Sequence, residues 1–156
     1  VGTVARWTVT GNVGDTTEGA TTGSHSAALS AGGNSQGDAL SQRFFTAVNQ
    51  VYMLDFDAGI FGIPDTGANL QLQVQVIGGT TVLDQTVTPP VAGTNDPSSV
   101  QFQHYHYVFT ANSTTTTLKF TGVGLNNTNA DQVLDTVSVT AAPTPTPPPC
   151  TSSATG

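Results

Sequence analysis

The sequence predicts an all-β protein, an antiparallel β-sandwich of the jelly-roll type built from eight or nine short strands. Three observations carry this. Leu70, Leu72, Val74 and Val76 alternate with Gln71, Gln73 and Gln75, a period of two that belongs to a strand with one buried and one wet face. Strand-like segments of this kind recur along nearly the whole chain with turn residues between them, and no segment shows the periodicity of a helix. The composition agrees: 27 threonines and 17 glycines stand against one lysine and one glutamate, so helix formers are scarce and strand and turn formers abound.

In chain order, residues 4–10 (VARWTVT) are β-rich, and 11–23 read as a polar Gly/Thr loop. A short strand over 25–31 is followed by a Gly-Gly-Asn turn. Strands are expected at 40–46, with Phe44 and Phe45, and at 51–57, where Tyr52, Leu54 and Phe56 alternate against Val51, Met53 and Asp55. After 70–76, Gly78-Gly79 closes a hairpin into 80–87, which Pro89-Pro90 ends. In 101–110 one face carries Tyr105, Tyr107 and Phe109, the expected core side. The other carries Phe102, His104, His106 and Val108. Strands at 115–122, with Leu118 and Phe120 inward, and at 133–140 complete the set.

The length of 156 residues fits one domain, expected over 1–140. Beyond it, residues 141–156 form a Pro/Thr-rich tail or linker, because Ala-Ala-Pro-Thr-Pro-Thr-Pro-Pro-Pro suits extended polyproline II rather than a sheet. Charged residues make up only 8 % and the net charge is −7, which excludes a nucleic-acid binder, since that needs a basic stripe. No apolar run of membrane-spanning length occurs. A lone cysteine, Cys150, excludes a disulfide framework within the domain and leaves a free thiol or an interchain disulfide. The chain opens at Val1 on strand-like sequence, as a processed or excised module would. Together these features predict an extracellular or cell-surface protein.

Few residues carry candidate chemistry. Gly33-Asn34-Ser35-Gln36-Gly37 matches a nucleophile-elbow pattern, but that motif needs a strand-to-helix turn, so it reads here as a Gly-rich turn. His104 and His106 share a strand face and could hold a metal such as zinc, with no third ligand evident from spacing. Beside Phe102 they could instead hydrogen-bond a sugar. Asp55 and Asp57 also share a face, without the setting of catalytic carboxylates. Asp131 and Asp135 flank the last strand and offer oxygen ligands suited to calcium. Trp7 reads as core first and sugar platform second. Asn112 and Asn126 head N-glycosylation sequons.

The order of motifs WTVTGNVG, GSHSAALS, SQRFFTAVNQVYMLDFDAG, LQLQVQVIGG, HYHYVFTANSTTTTLKF and VLDTVSV resembles the galactose-binding-like jelly rolls, over roughly residues 4–140. These include carbohydrate-binding modules of the CBM4/9 kind and DUF642-type secreted bacterial domains. YMLDFDAG and LDTVSV carry the resemblance best. It implies a possible calcium ion at Asp135 and the Thr22-Gly23 turn, although the family's opening Asn-x-x-Phe-Glu segment is missing. It also implies sugar binding through aromatics, for which Trp7 and Phe102 with His104 and His106 are the candidates. No other cofactor is implied.

Two functions are therefore expected, neither of them enzymatic. The first is a structural subunit of a surface fibre or layer, self-associating through sheet edges and the tail. The alternative is a carbohydrate-binding module of a larger secreted protein.

Overall fold

The computed structural model describes residues 6–30, 37–124 and 129–143. The Gly33–Gly37 turn apart from Gly37, the Asn126 sequon, Cys150 and the tail beyond Pro143 lie outside them. Among the described residues ten strands form: β1 (Thr8–Thr10), β2 (Val13–Thr16), β3 (Ser26–Leu29), β4 (Ala39–Phe45), β5 (Val51–Gly62), β6 (Leu70–Ile77), β7 (Thr81–Val87), β8 (Phe102–Thr110), β9 (Thr115–Gly124) and β10 (Ala130–Ala141). They make two five-stranded sheets, in the order β1-β4-β9-β6-β7 and β2-β3-β10-β5-β8, and every pairing between strands is antiparallel. The fold is thus the β-sandwich the alternation predicts.

The core follows from that alternation. Leu72, Val74 and Val76 of β6 and Leu118 and Phe120 of β9 meet Leu54, Phe56 and Ala58 of β5 and Leu134 of β10. The Phe56 and Phe120 rings meet edge to face at 5.1 Å, which joins the two sheets at their centre. Gln71, Gln73 and Gln75 stand on the other face of β6, half-buried. Phe109 is buried, but Tyr105 and Tyr107 are only half-buried. Their strand is the sheet edge, and they stack over Phe56 at 5.1 and 6.2 Å, closing the side of the core rather than filling it.

Several boundaries differ from the sequence reading, and three of the differences have a cause in the packing. The expected loop at 11–23 contains β2, whose single apolar residue, Val13, is fully buried opposite Leu29. Four residues with one apolar member show no period. Strand β5 runs on past Asp57 to Gly62, because Ala58 and Ile60 continue its inward row. Gly59 reads as a turn signal, yet here it is a contact: a Cβ would meet the Gln101 carbonyl oxygen at 2.5 Å. Last, β10 begins at Ala130 and carries a bulge between Asp135 and Ser138, where Thr136 adopts φ 49°.

Candidate binding face

The outer face of the first sheet is set by its register. Reading across the strands, Thr8, Ser41, Lys119, Gln75 and Asp84 form one continuous row. Strands lie about 4.8 Å apart, so the row spans roughly 19 Å. Beside it Arg43 pairs with Thr117 and Thr117 with Ile77, and at the end of β4 Phe45 pairs with Thr115. On the other flank Thr121 pairs with Gln73 and Gln73 with Thr86.

This face is polar and pre-arranged. The Gln73 and Gln75 side-chain amides donate to the two oxygens of Asp84, at 2.9 and 3.0 Å. Gln71 donates to the Thr88 hydroxyl at 3.2 Å. Each amide is held by its NH2 group and keeps its Oε1 as an acceptor. Phe45 ends the face and is 89 % exposed. A lone exposed hydrophobe is ordinary. Phe45, however, borders a depression of about 450 Å³ that it lines with Arg43, Phe44 and Thr115. The face therefore joins an aromatic surface to a row of fixed hydrogen-bonding groups. That is the chemistry a polyhydroxylated chain needs. Sequence reasoning placed the glutamines on a wet face, but it missed Arg43, Phe45, Ser41, Thr117 and Lys119. Only the register brings those residues together.

The sequence candidates fall in two other places. His104 and His106 lie on the outer face of the second sheet, across from Asp57 and Asp55. His104 Nδ1 is 2.8 Å from Asp57 Oδ1, and its Nε2 is 3.2 Å from Asp55 Oδ1. His106 Nδ1 is 2.7 Å from the same Asp55 oxygen. The imidazoles are therefore engaged with carboxylates, and half-buried Phe102 lies along the same strand. Among the described residues no group of three or more His, Cys, Asp or Glu is placed to hold a metal ion.

The ladder sets a pH dependence. The hydrogen bond that protonated His104 donates to Asp57 holds the His104 pKa above 6.5, against burial. The hydrogen bond from His106 holds Asp55 below 3.8. For Asp57 burial pulls upward, but the Thr136 hydroxyl and His104 outweigh it and keep the pKa low. A raised histidine stabilises the fold below its unfolded value, and this is lost as pH rises through its folded one. Lowered aspartates stabilise above their unfolded value, and this is lost as pH falls through the folded one. The ladder is thus most stabilising between about pH 4 and 6.5. His104→Gln should lower the melting temperature more at pH 5 than at pH 8. Equal losses at both pH values would contradict the ladder.

Trp7 stands elsewhere. Its ring lies 6.2 Å from Phe120, at the edge of the core, and it also walls an open cleft of about 260 Å³ with Leu40, Leu134, Asp15 and His25. The structure does not bring Trp7 together with Phe102, His104 and His106.

Asp135 does meet the Thr21-Thr22 segment that leads into Gly23. Its Oδ2 accepts from the Thr21 and Thr22 amides at 2.7 and 2.9 Å and from the Thr21 hydroxyl at 3.0 Å. Its Oδ1 accepts from the Thr136 amide at 2.7 Å. As arranged, Asp135 forms a clasp that fastens the 17–25 loop to β10. Asn112 is used similarly. Its Oδ1 accepts from Gly79 and its Nδ2 donates to Thr80, which fixes the β6–β7 hairpin. A glycan on that nitrogen would replace the second contact.

No protein-family model and no curated protein sequence matches the chain. Solved structures do. TmCBM61, determined in complex with β-1,4-galactotriose, is 12 % identical, with a TM-score of 0.62 over 88 % of this chain and 90 % of its own. The CBM22-1 xylan-binding domain of Paenibacillus barcinonensis Xyn10C is 17 % identical, with a TM-score of 0.55 over 90 % and 88 %. The N-terminal cellulose-binding domain of Cellulomonas fimi β-1,4-glucanase C is 18 % identical, with a TM-score of 0.52 over 79 % and 81 %. At these identities the likeness is one of fold: the chain has the jelly-roll sandwich of carbohydrate-binding modules.

Proposed function

We propose that this chain is a carbohydrate-binding domain that holds a polysaccharide on the outer face of its first sheet and performs no reaction on it. The observation that carries this is the row of glutamines fixed by Asp84 and Thr88, ending toward the exposed ring of Phe45. A sugar ring has a C–H face and a rim of hydroxyls. An aromatic side chain suits the first and amide oxygens suit the second. Because the amides are already oriented, binding immobilises few side chains. The fold supports this reading, since sandwiches of this kind include binding modules for xylan, cellulose and galactan fragments. It favours binding over a fibre subunit. Such a domain meets polysaccharide outside the cell, in agreement with the composition.

Native gels cast with xylan, β-1,4-galactan or a soluble cellulose derivative provide the test. The protein should be retarded by at least one polymer. Phe45→Ala should weaken that binding about two- to tenfold, the range for an aromatic contact of about 0.5–1.5 kcal/mol. Unretarded migration in every gel would contradict the proposal, as would a Phe45→Ala protein retarded like the parent.

A further inference from the structure

The chain holds only three lysines and arginines against ten aspartates and glutamates. Two of the three, Arg43 and Lys119, stand on the proposed binding face. They lie on adjacent strands: Arg43 pairs with Thr117 and Lys119 with Ser41, two positions along. That makes them diagonal neighbours, with backbones roughly 7–8 Å apart. Both are cations, so their proximity is unfavourable until an anion joins them. The ion pairs among the described residues all join histidines to aspartates, and neither Arg43 nor Lys119 takes part. Of the ten acidic residues only Asp84 belongs to this face. It lies two strands from Lys119, with both oxygens on glutamine amides. Asp55 and Asp57 are on the opposite sheet, and Asp15, Glu18, Asp38, Asp65, Asp96, Asp131 and Asp135 lie off the face. A protein of net charge −7 thus turns an unpaired pair of cations toward the surface proposed to bind a glycan.

We infer that the bound glycan is acidic, and that Arg43 and Lys119 receive a carboxylate or sulfate carried by its sugar units. This rests on the binding face proposed above. The guanidinium of Arg43 can take two oxygens of such a group in one plane, and Lys119 adds a point charge beside it. The glutamine row and Phe45 would hold the neighbouring neutral rings. The rest of the protein repels a polyanion, so the attraction is local to this pair and sensitive to salt.

The experiment uses three matched polymers: a β-1,4-xylan bearing glucuronic acid, the same polymer after carboxyl reduction, and the reduced polymer after sulfation. Calorimetry should give at least tenfold tighter binding of one of the two anionic forms than of the neutral one. The anion preferred identifies its source. The preference should shrink in about 1 M salt, where the Debye length is about 3 Å. The ratio of anionic to neutral affinity should fall to about one in an Arg43→Gln/Lys119→Gln protein that melts like the parent. Equal binding of all three polymers by the parent protein overturns the inference and leaves the binding face standing. So does a preference that survives in the double variant. Failure to bind any of the three, or any gel polymer, removes the binding face and the inference together.

Discussion

Replacing Phe120 with alanine should destabilise the fold by about 3–5 kcal/mol, the range for a large aromatic deleted from a core. Phe120 is fully buried at the centre of β9. It meets Phe56 of the opposite sheet edge to face at 5.1 Å and supports the Trp7 ring at 6.2 Å. Its removal leaves a hole between two sheets whose backbones are held by their own ladders, so little can move in to fill it. Domains of this size are stable by only about 5–15 kcal/mol, so the loss is a large share. Urea unfolding should show a lower midpoint at unchanged slope. Lys119, its neighbour in sequence, stands on the outer face of the same strand, so Lys119→Gln should change stability by less than about 0.5 kcal/mol. Equal effects of the two substitutions would contradict the register of β9.

Replacing Asp131 with asparagine should stabilise the protein at alkaline pH by about 1–2 kcal/mol, with little change near pH 4. Burial, then the nearby Glu18 carboxylate and more weakly Asp38, push the Asp131 pKa from 3.8 up to about 7. A carboxyl raised in the folded state binds its proton more tightly there than when unfolded. Stability therefore falls as pH rises from about 4 to about 7, and the protein carries the full cost above that. Three pKa units correspond to about 4 kcal/mol. Asp131 is only half-buried at the start of β10, and solvent screening reduces this to the smaller figure given. Asparagine keeps the shape and removes the charge. Unfolding free energies of both proteins from pH 4 to 8 should converge at the acid end and separate at the other. Parallel curves would mean that Asp131 is ionised without penalty.

Much of this architecture is legible locally. The Leu70–Val76 alternation places the glutamines on the wet side of β6 before any partner is known. The spacing of Phe102, His104, His106 and Val108 puts them on one face, as found. Contacts between distant segments are not legible. Asp55 and Asp57 lie 47 to 51 residues before the histidines they hold, and nothing near either pair announces the other. Nor does any local signal show that β4, β9, β6 and β7 are neighbours, which is what sets Arg43, Lys119, Gln75 and Asp84 side by side. Val13 and Gly59 illustrate the same limit: their roles come from Leu29 and from the Gln101 carbonyl, not from their own surroundings in sequence.

A glycan on the outer face of the first sheet should be visible in amide and methyl chemical-shift mapping with a polymer fragment that retards the protein in gels. Perturbations are expected at Ser41, Arg43, Phe45, Gln73, Gln75, Thr117 and Lys119, with His104, His106, Asp55 and Asp57 on the opposite face unmoved. Perturbations centred on those histidines, or on the cleft beside Trp7, with the glutamine row unchanged, would contradict that placement.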